Sequence, residues 1–268
     1  MLARAGAGRR MRVYLTGDLA VESGGRVASA GGLTLQGRLV LAMLAAEHRR
    51  VVLAEELAEE LWGDSPSAAW GAGLRALVSK VRAALGPVTA SMAGGATALI
   101  VSEAGGYRFR LPADGQVDID EAQAAIHEAE ARLAAGEGEV EAAGASALVA
   151  SMIARRAFLV GLDGPWVATQ RARLLDARVR ALEVLGRVWS AKGDHAQAAR
   201  DAREAVRLDP FRETAYQLLM EAQAAAGNPA LAAAAFRECE RVLRAELGVG
   251  PSAATVGVYR AVRGGQVG

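Results

Sequence analysis

Arg75, Ser79 and Arg82 stand at i, i+4 and i+7 with Lys80 beside them, so a helix through this stretch gathers three cations and a hydroxyl on one side. Such groups suit phosphate oxygens and the acceptor edge of guanine in a DNA major groove. The other side carries Leu74, Leu77, Val78, Val81 and Leu85, an apolar stripe that can be buried while the cations stay out. A solvated charged face has the same spacing, so the pattern alone admits both readings. A second set lies at Tyr107-Arg108-Phe109-Arg110, where strand alternation sends the two aromatics to one side and the two arginines to the other. An arginine so placed can reach a phosphate or the minor groove.

Other residues capable of chemistry are scattered or wrongly spaced. Glu55, Glu56, Glu59 and Glu60 cluster, but no His or Asp stands at ligand spacing beside them, so they read as the solvated face of a helix. That face repels phosphate and belongs on the side away from DNA. His48, His127 and His195 each stand without a second ligand at metal spacing. Cys239 is the sole cysteine, which excludes an intrachain disulfide, and its neighbours Glu238 and Glu240 do nothing to favour a thiolate. Neither a Walker A sequence nor GxSxG nor HExxH occurs. The sequence therefore predicts no catalytic residue, no cofactor and no metal. Arg49-Arg50 closes a helix, where cations suit the dipole; the sharper reading is a phosphate clamp.

The elements that position the stripe follow in a telling order. Leu53–Trp62 has a short helical pattern, Gly63-Asp64-Ser65-Pro66 a turn, and Ser67–Leu85 a longer helix. Two apolar runs, Ala98–Ser102 and Tyr107–Leu111, are joined at Gly105-Gly106. Helix, turn, helix, hairpin is the order of a winged helix-turn-helix. Upstream, Val13 with Leu15, Leu19 with Val21 and Leu33 with Leu35 predict short strands separated by glycine turns. Gln36–His48 then predicts a helix with Leu39, Met43 and Ala46 at core spacing, widened by Leu41 and Leu44.

Hydrophobic residues make up 52% of the 268-residue chain but aromatics only 4%, so the apolar mass is Ala, Leu and Val, a composition for packed helices. The formal net charge is +1. Residues 1–115 hold 13 Lys and Arg against 10 Asp and Glu, and the remainder 18 against 20, so a small basic excess sits in the front half. Residues 1–10 are cationic without a following apolar stretch and read as a flexible tail rather than a signal peptide. No apolar run approaches the roughly 18–20 residues of a membrane span, so a soluble cytoplasmic protein is expected. The fold class is mainly α with a small β component: a winged helix-turn-helix domain over residues 11–112, then an all-α tetratricopeptide-like domain over 116–262. Pro112-Ala-Asp-Gly115 marks the boundary, and all seven prolines fall at joints of this segmentation.

Beyond it the pattern is helical throughout: Asp118–Ala135, Val140–Ala157, Pro165–Lys192 and onward. Gly193-Asp194 and Gly227-Asn228 are 34 residues apart. At that offset Leu182 aligns with Tyr216, Leu185 with Leu219, Trp189 with Gln223, Ala198 with Ala232 and Ala202 with Phe236. Period and residue sizes follow a tetratricopeptide pattern, degenerate in its second unit, where Met220 and Arg244 replace Gly and Pro. Such repeats stack as helix pairs, present a groove to a partner and seldom carry catalysis.

Five stretches in this order resemble the Streptomyces antibiotic regulatory protein family, in which an OmpR-type winged helix precedes a bacterial transcriptional activator domain. They are Leu61-Trp62-Gly63-Asp64-Ser65-Pro66, Val78-Ser79-Lys80-Val81-Arg82, Gly105-Gly106-Tyr107-Arg108-Phe109, Phe158 through Trp166, and Leu243 through Pro251. The resemblance spans roughly residues 11–262 and implies an activator that binds double-stranded DNA at promoter direct repeats. It further implies side-by-side protomers as a homodimer, and recruitment of RNA polymerase and its sigma factor, commonly at secondary-metabolite genes. Arg75, Ser79 and Arg82 would then face the major groove, with Arg38, Lys80 and Arg108 on phosphates. One departure stands out. Where the family has an Asn-Ala-Leu run and a polar face, this chain has Trp70-Gly71-Ala72-Gly73-Leu74, and two helical glycines cost roughly 1 kcal/mol each. The alternative is an interaction or ligand-sensing regulator whose winged helix binds DNA weakly or not at all.

Overall fold

The structure is a computed structural model and describes residues 10–63, 68–90 and 98–264. The turn at 64–66, the start of the second helix at Ser67, and most of the N-terminal tail lie outside the described residues. The chain divides into two compact units, Met1–Glu121 with Arg156–Arg173, and Ala122–Arg155 with Leu174–Gly268. The segment Arg156–Arg173 therefore packs with the N-terminal half, although the sequence pattern runs it on with the helices that follow Gly115.

The first unit contains, in chain order, β1 (Arg12–Tyr14), β2 (Ala20–Ser23), β3 (Arg26–Ser29), α1 (Leu35–Ala46), β4 (Val52–Leu53), α2 (Ala54–Trp62) and α3 (Trp70–Ala84). A short α4 (Gly86–Thr89), β5 (Ile100–Glu103), β6 (Gly106–Phe109) and β7 (Gln116–Val117) complete it. One sheet has the order β3-β2-β1-β7, with β7 parallel to β1, and the other has the order β4-β6-β5. Leu33–Leu35 does not form the expected strand. A single 3-10 turn at Ala30–Gly32 occupies the approach, and Thr34 Oγ1 accepts from Gly37 N at 3.2 Å, which starts α1 one residue later. Every residue of α1 from Leu39 to Ala45 is buried, so α1 is a central helix surrounded by protein rather than one with a single apolar face.

The β5–β6 hairpin turns on Ala104-Gly105, both at positive φ (46° and 78°), one residue before the expected Gly105-Gly106. Gly106 is instead paired with Leu53, and a Cβ there would run into the Val52 carbonyl, so strand pairing claims this glycine and leaves the turn to its predecessor. Tyr107 and Phe109 are buried and Arg110 is exposed, in line with the alternation. A buried carboxylate closes the unit: Asp118 accepts from Leu15 N and Thr16 N at 2.9 Å each and from Thr16 Oγ1 at 2.7 Å. Phe158 bridges to Thr16, and Gly17 N donates to Ala157 O at 2.7 Å.

The helices beyond are α5 (Asp118–Ala135), α6 (Val140–Ala154), α7 (Pro165–Ala191), α8 (His195–Leu208), α9 (Glu213–Ala225), α10 (Pro229–Leu247) and α11 (Ala253–Gly264). The 34-residue repeat is visible in the backbone. Gly193 (φ 79°) and Gly227 (φ 77°) make the same left-handed helix ends. Asp194 N donates to Trp189 O at 2.9 Å, and Asn228 N to Gln223 O at 2.8 Å, each pair shifted by one repeat. Ala198, Ala202, Ala232, Tyr216 and Leu219 are all buried in the core of the second unit. Gly186 lets α7 approach α9 so closely that a Cβ would lie 2.6 Å from Leu218 Cδ2.

Candidate nucleic-acid interface

Helix α3 buries Leu74, Val78 and Val81 against the first unit and leaves Arg75, Ser79, Lys80 and Arg82 exposed. The two sides of its pattern are thus separated as the sequence predicts. Leu77, also assigned to the apolar side, is only half-buried. The exposed polar residues are not equivalent. Arg82 donates from Nε to Ile100 O at 3.0 Å and from Nη2 to Ser102 Oγ at 3.1 Å, and its guanidinium carbon lies 5.9 Å from the Tyr107 ring centroid. Its guanidinium is committed to the hairpin and fixes α3 against it.

Arg38 is similarly engaged, donating to Ala30 O and Gly31 O at 3.2 Å each. Arg108 Nε lies 3.4 Å from Glu103 Oε2 but is not aimed well enough for a hydrogen bond. Arg75, Ser79 and Lys80 have no ion-pair partner among the described residues. Arg110, the second arginine of the hairpin alternation, is exposed at the foot of the hairpin and also lacks a carboxylate partner among the described residues. Strand alternation pairs it with Arg108, and only the Glu103 contact separates the two. The Arg49-Arg50 pair is held by acids: Arg49 Nη2 lies 3.3 Å from Asp120, and Arg50 pairs with Glu47 and Glu56 at 3.0 and 2.8 Å. The hydrogen bond from Arg50 holds the Glu56 carboxyl below its usual range against the opposing effect of burial.

Neither glycine of α3 is required by close packing or by a positive φ. A Cβ on Gly73 would lie 3.6 Å from Trp62 Cζ2, an ordinary contact with the indole that ends α2. A Cβ on Gly71 would lie 3.7 Å from Arg75 Nη1, so the arginine folds back over the first turn of its own helix. The acidic face of α2 is also more than solvated surface. Glu56 Oε1 accepts from Leu53 N at 3.2 Å. Glu60 accepts from Trp166 N and Val167 N at 3.2 and 3.4 Å, capping the start of α7, while Trp166 Nε1 donates to Glu47 at 3.2 Å. A Cβ on Gly164 would collide with the Glu60 carboxylate, so Gly164-Pro165-Trp166 is shaped around that cap. Nothing in sequence spacing links residues a hundred positions apart.

Among the described residues no three His, Cys, Asp or Glu side chains assemble as a metal set. No described helix is long and apolar enough to cross a membrane.

A winged helix together with a helical repeat unit defines a class of transcription regulators, and known proteins agree. Residues 117–263 match the bacterial transcriptional activator domain. The chain is 33% identical to Regulatory protein AfsR of Streptomyces coelicolor over 223 residues, covering 81% of this chain and 20% of that protein. It is 30% identical to Regulatory protein AfsR of Streptomyces griseus over 243 residues, covering 90% of this chain and 23% of that protein. It thus spans about a fifth of the length of these curated relatives. A structure of Mycobacterium tuberculosis EmbR in complex with a low affinity phosphopeptide superposes with a TM-score of 0.79 at 23% identity, over 96% of this chain and 66% of that one. That likeness shows the fold. The chain belongs to the bacterial transcriptional activator domain family, among transcription regulators of the Streptomyces antibiotic regulatory protein type.

Proposed function

We propose that the chain is a sequence-specific DNA-binding activator that docks α3 in the major groove and the β5–β6 hairpin on the adjacent backbone. One observation carries this reading: Arg75, Ser79 and Lys80 are exposed, with no ion-pair partner among the described residues, on the outer side of a helix that buries Leu74, Val78 and Val81 on its inner side. Arg75 and Ser79 face base edges, Lys80 and Arg110 take phosphates, and Arg82 sets the angle between helix and wing. Arg38 and Arg108 reach phosphate only by releasing the contacts they now hold. Protomers bind side by side on promoter direct repeats and recruit RNA polymerase and its sigma factor, in the cytoplasm, at secondary-metabolite genes.

The test is a footprint on the upstream regions of the neighbouring genes with a parallel salt titration. Two evenly spaced protected tracts on one face of the DNA, weakening steeply with salt, are the expected result. Absence of protection at low salt with folded protein overturns it. The second reading, a regulator that does not read DNA, draws on the first turn of α3, where Gly71, Ala72 and Gly73 offer no hydrogen-bonding side chain to a base. It predicts that outcome.

A further inference from the structure

The second unit contains a groove of about 770 Å³ with α9 as its floor and α8 and α10 as its walls. We propose that this groove is a binding site for a small organic anion, an apolar or aromatic body bearing a carboxylate or phosphate. The inference is independent of DNA binding.

The volume lies in the range of small-molecule sites, roughly 300–1,000 Å³. Its charge is one-sided. Arg200, Arg203 and Arg207 follow at i, i+3 and i+7 along α8, and Arg241 faces them from α10, against the carboxylates of Glu204 and Glu238. Arg203 spans the groove to Glu238 at 2.6 Å, and Glu204 is shared between Arg207 at 2.7 Å and Arg178 at 2.8 Å. Two guanidiniums are left over. Arg200 rests on the Gln197 amide oxygen at 2.9 Å rather than on an acid, and Arg241 has no carboxylate partner among the described residues. An anion entering here meets two charges not already neutralised, in the fork geometry that suits carboxylate and phosphate oxygens.

At the floor, Tyr216 is 1% exposed, and its buried hydroxyl has no hydrogen-bond partner among the described residues. Burying a hydroxyl without a partner is unfavourable, a cost that a Phe at this position would not carry. A bound acceptor that reaches the hydroxyl once the side chains over it rotate aside offsets that cost. Val206, Leu231 and Val242 line the same groove and provide the surface for the apolar body. A bare inorganic ion would leave that surface unused.

The probe is 8-anilinonaphthalene-1-sulfonate, titrated by fluorescence against the whole chain without DNA. Competition with 1-naphthoate, 1-naphthyl phosphate and the neutral 1-naphthol then separates head groups. One site per chain is expected, displaced by both anions and at least tenfold less well by the naphthol; the stronger anion identifies the source of charge. Arg200→Gln with Arg241→Gln should weaken the probe tenfold or more at unchanged melting temperature, and Tyr216→Phe should weaken it severalfold without destabilising the fold. Arg241→Gln alone repeats the measurement if the double variant fails to fold. Unchanged affinity in the arginine variants, or displacement by naphthol as good as by the anions, overturns the proposal.

Discussion

Arg82 Nε donates to the Ile100 carbonyl oxygen at 3.0 Å, so the helix offered to DNA and the wing beside it are joined through one guanidinium. Arg82→Ala removes this bond, the one to Ser102 and the stacking on Tyr107. At about 1 kcal/mol per bond, a loss of about 1–2 kcal/mol is expected, with faster amide exchange in the hairpin. Arg75→Ala should melt with the wild type while DNA affinity falls roughly tenfold or more. Equal melting of both variants would show the Arg82 contacts to be idle.

Gly106 and Gly105 should behave oppositely although they are neighbours. Gly106→Ala drives a Cβ into the Val52 backbone and should cost about 2 kcal/mol or more, detaching β4 from β6. Gly105→Asn keeps a residue that tolerates φ 78° with open space around it, and should stay within about 0.5 kcal/mol of wild type. Urea melts of the two variants decide it, and a stable Gly106→Ala chain would refute the close pairing.

Acid stability should depend on Glu130. Arg180 hydrogen-bonds its carboxylate at 2.7 Å and holds its pKa below the ordinary 4.5, outweighing the burial that pushes the other way. A depressed folded-state pKa means that the contribution is complete above 4.5 and drains away as pH falls through the lower folded value. Glu130→Gln should therefore be destabilised at pH 7 by about 0.5–1 kcal/mol, a modest figure because the carboxylate is partly solvated. The gap should close below pH 4.5. A gap constant from pH 7 to 3 would mean that packing, not charge, sets it.

Cys239 should be chemically quiet. Burial pushes its thiol up to about 11, and the carboxylates of Glu213, Glu238 and Glu240 add to the shift. At pH 8 a thiol reagent should label the native chain far more slowly than the urea-unfolded one. Comparable rates would place the thiol within reach of solvent.

By itself the sequence determined what depends on periodicity and local chain chemistry. The helix, turn, helix, hairpin order, the two-sided α3 and the 34-residue repeat with its matched glycine ends all follow from spacing within one or two elements. Local signals also misled where two claims met on one residue, as when Gly106 went to strand pairing and moved the turn to Ala104-Gly105. Tertiary structure decided which charges remain free. Arg75 and Arg82 are indistinguishable on a helical wheel, yet one is open and the other tied to Ile100, eighteen residues away in sequence. It also decided that Glu60 caps Trp166, that Asp118 closes on Leu15 and Thr16, and that Arg156–Arg173 packs with the winged helix. A hydrogen bond is satisfied by whichever donor the fold brings within about 3 Å, and chain spacing does not encode distances between remote segments.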